Sequence, residues 1–233
     1  MTSPSRQAIS DLWHLAAQVS RQHIFGATDS LRPHYDEDGP TASQIDVPAL
    51  GTVGRGFHPT SVTFVSVNPA GGTSNSRSTL VDKRLYEAFA NMRSVANADS
   101  RLEAFEHVTT CFEASVPTWT IWWQYIEPIL VAVDRSFGST AYLYLVPFRT
   151  QGDAGSSMPD VFIRAAYEKH LKQQLNLLSP KLIIAVDRPS ERICGEWSRD
   201  NGNDAEVFYF TRKRDAHAER KRLLAQLKAR RRA

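Results

Sequence analysis

The order of apolar and polar positions divides the chain into strand-like and helix-like stretches. Ile9, Leu12, Trp13 and Ala16 recur at helical spacing and predict an amphipathic helix over residues 6–24. The period is lost over 26–60, where Gly, Pro, Asp and Thr are frequent. This reads as a long irregular connection, with room for a short strand around 45–53. Residues 61–67 form a β-branched run around Phe64 that ends in Asn68-Pro69-Ala70-Gly71-Gly72, the punctuation expected where a buried strand gives way to a loop. Helices are predicted over 80–96, 101–115 and 118–137. The last carries Trp119, Trp122, Trp123 and Tyr125, and clustered tryptophans read first as core. A second strand over 141–146 runs into Pro147-Phe148-Arg149-Thr150 and a Gly/Ser-rich loop. Ser157 and Pro159 then open a helix to 178, whose apolar face is Val161, Phe162, Ala165, Leu171, Leu175 and Leu178. A third strand over 181–186 leads through Asp187-Arg188-Pro189 to a short helix ending near Trp197. After an Asn201-Gly202 turn, a fourth strand covers 206–210. A last helix starts at Arg214 and turns Leu223, Leu224 and Leu227 inward.

Short hydrophobic strands alternating with long helical stretches predict an α/β fold: a three-layer sandwich with a central four-stranded parallel sheet flanked by helices. A chain of 233 residues with 42% hydrophobic content suits one domain over 1–233, with an N-terminal helix and irregular segment (1–60) and a basic C-terminal helix (214–233). In such sheets ligands bind at the carboxyl ends of the strands. Four segments lie there: Asn68–Gly72, Pro147–Thr150, Asp187-Arg188 and Thr211–His217. No internal repeat points to a solenoid.

Charge changes this picture at one end. Residues 212–233 hold ten Lys or Arg against two acids, whereas the rest of the chain holds 18 basic and 23 acidic residues. Such a block can be a solvated helix face, a non-specific anchor or the electrostatic footprint of a nucleic acid. No apolar run reaches the length of a bilayer span, and Met1 opens a polar start without a signal-peptide pattern, so a soluble cytoplasmic protein is expected, with no membrane partner. Cys111 and Cys194 lack metal-binding spacing and read as buried free thiols. The phosphate-binding patterns GxGxxG and GxxxxGK[ST] are absent, which argues against a small-molecule nucleotide hydrolase or transferase.

One family matches the order of the pieces. A strand ending in Asn68-Pro69-x-Gly71, a second strand ending before a polar loop, the phrase Leu175-Asn176-Leu177-Leu178-Ser179-Pro180-Lys181 followed by Leu182–Val186, and a final strand leading into a basic loop and helix together resemble the uracil-DNA glycosylase superfamily over residues 60–230. The resemblance implies a monofunctional DNA glycosylase that hydrolyses the N-glycosidic bond of a flipped-out base and leaves an abasic site, with DNA as partner, no obligatory protein partner and no metal, nucleotide cofactor or iron–sulfur cluster.

In that family Asn68 would orient the hydrolytic water; its carboxamide is no strong base at neutral pH but can aim a water at the sugar. Asn before Pro also serves simply as a turn cap. Val67, Pro69, Ala70, Gly71, Gly72, Tyr144 and Phe148 would line the base pocket, and the two glycines let backbone N–H groups come close to a ligand. Arg212 and His217 would stabilise charge on the leaving base, or equally grip phosphates beside the lesion or form a solvated helix start. Lys213, Arg214, Arg149 and Arg188 would hold phosphates.

Two departures move the expected base away from uracil alone. Tyr144 stands where the family places an Asn that reads the base, and a hydroxyl lacks the paired donor and acceptor of an amide; Tyr144 reads equally as a core residue. Thr211–His217 stands where His-Pro-Ser or Asn-Pro-Ser is usual. A modified base is therefore expected beside uracil or mismatched thymine, such as the glucosylated hydroxymethylcytosine of phage DNA removed by antiphage glycosylases. The same departures leave open a non-catalytic nucleic-acid-binding protein of this fold.

Overall fold

The computed structural model describes residues 3–25, 47–69, 80–119, 121–148, 158–200, 202, 204–210 and 217–230. Five strands form one mixed sheet: β1 (Gly51–Val53), β2 (Val62–Ser66), β3 (Ala141–Tyr144), β4 (Leu182–Ala185) and β5 (Glu206–Tyr209), in the order β1-β3-β2-β4-β5. The four-stranded parallel sheet expected from the sequence is corrected by β1, which pairs antiparallel with β3 through Gly51↔Leu143, Thr52↔Tyr142 and Val53↔Ala141. The pairs β2–β3, β2–β4 and β4–β5 are parallel. Every residue of β2, β3 and β4 is buried, so both faces of the sheet are covered.

Two groups of helices provide that cover, an arrangement consistent with helix–sheet–helix layering. One group contains α1 (Arg6–Ala17), α3 (Leu80–Ser94), α4 (Ala98–Ser115), α5 (Glu127–Val133) and α9 (His217–Arg230). It meets the face carrying Phe64 and Tyr142, whose rings stack 6.1 Å apart, with Phe112 of α4 5.7 Å from Tyr142. The other group contains α6 (Asp160–Ala166), α7 (Lys172–Leu178) and α8 (Arg188–Asp200). It is joined by Arg164–Glu196 at 3.1 Å, the Asp160–Arg192 ion pair and a Trp197 Nε1 bond to Asn176 Oδ1 at 2.8 Å.

Helix limits follow local capping. Ser5 caps α1 by accepting from the Ala8 N–H at 3.1 Å, and Asn97 caps α4 by accepting from the Ser100 N–H at 2.8 Å. The helix predicted over 6–24 is two helices, since α1 stops at Ala17 and α2 (Arg21–Phe25) restarts. The segment predicted as a helix over 118–137 is likewise subdivided. It contains a π turn (Trp122–Ile126), α5, which stops at Asp134 in the left-handed region, and a 3-10 turn at Phe137–Ser139. Trp119 and Trp122 pack against the core, but Trp123 is 66% exposed, correcting the reading of all three as core. Between α6 and α7 lies a second π turn (Tyr167–Leu171). Cys194 is buried and Cys111 only half-buried. Both thiols are free, and burial pushes both above the ordinary thiol range. Among the described residues no helix is long and apolar enough to cross a membrane.

Gly51 shows why the edge strand tolerates no side chain at that position. Its φ is +79°, and a Cβ there would lie 1.9 Å from the Tyr142 carbonyl oxygen. Gly51→Ala is therefore expected to cost about 2–4 kcal/mol, combining positive-φ strain with a main-chain clash. Urea unfolding would check this, and a loss under about 1 kcal/mol would show that β1 can move off β3 freely.

Candidate active site at the carboxyl edge of the sheet

Taken in chain order, the four parallel strands lie second, first, third, fourth across the sheet. Connections from the first strand therefore diverge between β2 and β4, and open α/β sheets bind ligands in the crevice outside that point. The pairing extends past the strand ends. Leu145 N–H reaches Ser66 O at 2.8 Å, Val146 N–H reaches Val67 O at 2.7 Å, and Val186 N–H reaches Val65 O at 3.1 Å. Asn68 is the residue just beyond the last of these bonds. Pro69 follows and has no N–H to continue a ladder.

The carboxylate of Asp187 spans the crevice beside it. Its Oδ2 accepts the Val67 N–H at 2.7 Å and its Oδ1 accepts the Ser190 N–H at 2.8 Å, while its main-chain oxygen takes the Glu191 N–H at 3.0 Å. Asp187 is thus both the N-cap of α8 and a tie to the end of β2. The side chain is only 8% exposed, so these charge-assisted bonds are shielded from water. Sequence reasoning placed Asp187 at a strand end but gave it no role. The available signal was the Asp-Arg-Pro-Ser run, an N-cap followed by a proline in the first helical turn.

The predicted site residues occupy different positions. Asn68 is half-buried and Val67 and Pro69 are buried, all at the switch point. Tyr144 lies opposite Ser66 in the β2–β3 register, at the same edge. It is 5% exposed and packs edge-on to Tyr142 at 5.4 Å, while Phe148, 1% exposed, belongs to the core. Arg188 is exposed at the start of α8. Its guanidinium holds Glu191 Oε2 at 2.5 Å and lies 4.0 Å from the Tyr209 ring centroid, and the Glu191 bond raises its pKa. His217 is exposed and opens α9; among the described residues no hydrogen bond or ion pair joins it to this group. Ala70, Gly71, Gly72, Arg149, Arg212, Lys213 and Arg214 lie outside the described residues.

Helix α9 turns its apolar side inward and its charge outward. Leu223 and Leu227 are buried, Leu224 is half-buried, and Lys221, Arg222 and Lys228 are exposed. Arg220 lies 5.9 Å over the Phe210 ring, just past β5, and Arg230 pairs with Glu206 at 3.0 Å. The helix packs on α5 and is anchored at the β5 edge, leaving three cations facing solvent.

No protein-family model matches the chain, and no curated protein does.

Proposed function

We propose that the protein is a monofunctional DNA glycosylase acting on a flipped-out base, either a modified base such as glucosylated hydroxymethylcytosine or uracil and mismatched thymine. The observation that carries this reading is the position of Asn68: a half-buried carboxamide at the carboxyl end of the strand flanking the switch point, tied through Val67 to the buried Asp187. The resemblance of the Asn68-Pro69-x-Gly71 segment to the glycosylase motif, and the solvent-facing cations of α9, support it.

In this mechanism the C1′–N bond breaks and its electron pair leaves with the base. A water whose proton is hydrogen-bonded to the Asn68 carboxamide oxygen adds to C1′ of the oxocarbenium-like sugar. It gives up a proton to the leaving base or to solvent, and free base and an abasic sugar result. Extruding the base costs a few kcal/mol, least at a damaged or mismatched pair. Arg212 and His217 would stabilise negative charge on the departing base.

The test is incubation with oligonucleotides carrying uracil, mismatched thymine, hydroxymethyluracil, hydroxymethylcytosine or its glucosylated form, followed by hot alkali. Scission confined to one substrate names the base, and scission of none refutes the reading. The deep burial of Tyr144 and Phe148 favours a second reading, in which the same fold binds nucleic acid without cleaving it. Binding by titration with no abasic product would select that alternative.

In either reading the exposed cations of α9 would contact phosphates. Replacing Lys221, Arg222 and Lys228 together with Glu should weaken binding of any duplex and lower the slope of log affinity against log salt by about 2–3. An unchanged slope in filter binding from 50 to 200 mM salt would place the phosphate contacts elsewhere.

A further inference from the structure

We propose that Asp187 is the positioning residue that sets the height and direction of Asn68 for the attack of water on the sugar; this rests on the glycosylase reading. The ladder between β2 and β4 shows how. Val186 N–H bonds Val65 O, and in a continuing parallel ladder the next bond would run from Val67 N–H to the carbonyl of Val186. The Val67 N–H goes instead to the Asp187 carboxylate at 2.7 Å. The strand-end residue is thus held by a side chain at the point where β4 leaves the sheet for α8.

Asn68 is bracketed as a result. The residue before it is anchored on one side by this carboxylate and on the other by Val146, whose N–H donates to Val67 O at 2.7 Å. The residue after it is a proline with a fixed φ. The other carboxylate oxygen is tied to the first turn of α8 through Ser190, so Asp187 clamps strand and helix together. Displacing a group that positions a nucleophile by about 1 Å can cost on the order of 100-fold in rate. Asp187 acts through Asn68, and its contribution lies in the chemical step rather than in holding DNA.

Two substitutions separate this role from helix capping. Asp187→Ser keeps a hydroxyl able to cap α8 but has no second oxygen for Val67; Asp187→Ala loses both. In the full chain, Asp187→Ser is expected to speed hydrogen exchange of the Val67 amide at least about tenfold while Ser190 stays protected; Asp187→Ala exposes both. On whichever oligonucleotide the wild type cleaves, Asp187→Ser should lower the single-turnover rate at least about 30-fold and leave DNA affinity within about twofold. The double variant with Asn68→Ala should be no slower than Asn68→Ala alone, because one residue works through the other. Losses that multiply in the double variant, or unchanged Val67 exchange in Asp187→Ser, would overturn the assignment. If the wild type cleaves nothing, the glycosylase reading fails; Asp187 as the anchor of the Asn68 segment is then decided by the exchange result.

Discussion

Acidification from pH 7.5 to pH 5 is expected to remove about 2 kcal/mol of stability through one side chain, His170, and further acidification toward pH 3 to raise that loss to about 4–5 kcal/mol. The imidazole is fully enclosed in the π turn between α6 and α7, and burial lowers its pKa from 6.5 to about 3. The Tyr144 main chain faces the ring and opposes part of that shift, but neither ring nitrogen is in hydrogen-bonding geometry with any partner. One turn on, Gln174 Oε1 is also buried without a partner, and its Nε2 reaches Leu50 O only at 3.4 Å.

The direction of the effect follows from proton counting. The unfolded chain takes up a proton at His170 as pH falls through 6.5, and the native state does so only near 3. Between those values the unfolded state holds more protons and gains on the folded one. This stability is therefore intact above pH 6.5 and drains away as the solution is acidified. His170→Leu removes both the titration and the unsatisfied nitrogens, so it should cost little at pH 7.5 and be about 2 kcal/mol less acid-sensitive at pH 5. Urea midpoints of the two proteins at the two pH values check this. Identical pH dependence would show that His170 reaches water in the native state.

What the sequence could and could not reveal follows from how far each signal reaches. The cores of β2, β3, β4 and β5 were legible because three of them are buried on both faces and therefore appear as unbroken apolar or β-branched runs. β1 lies within the 45–53 segment where a short strand is expected, but it has three residues, begins with a glycine and pairs with β3 across the ladder, so its antiparallel place in the sheet is not written in a period. The backbone is extended at Trp119 and enters a π turn only at Trp122, so the tryptophans do not share one regular helical face and Trp123 lies in solvent.

The site divides along the same line. Asn68 was visible because strand-ending punctuation is local. The role of Asp187 was not, because it depends on a main-chain donor 120 residues away and appears only once β2 and β4 are adjacent. Tyr144 could be placed at the right edge from its strand, but its near-complete burial, with its ring edge-on to Tyr142, is a property of the packed fold rather than of the strand pattern.

Asn68→Ala is expected to slow base release by about 100- to 1,000-fold, equivalent to about 3–4 kcal/mol of transition-state stabilisation, while DNA affinity stays within about twofold. The split follows from what the carboxamide can do. It carries no charge to attract phosphates, and it is half-buried just past the Val67–Val146 bond at the carboxyl end of β2. Under the proposed glycosylase reading, removing it takes away the group that would orient water, so the loss should fall on the single-turnover rate and not on the dissociation constant.

Asn68→Asp tests the chemistry from the other side. It replaces the carboxamide with a carboxylate, which acts as a base only when ionised. That variant should be active as a stronger base but only as pH rises, its rate climbing across a range where the wild-type rate is flat. Excision by Asn68→Ala at the wild-type rate, or equal losses in rate and affinity, would remove Asn68 from the chemistry and leave it as the cap of a turn.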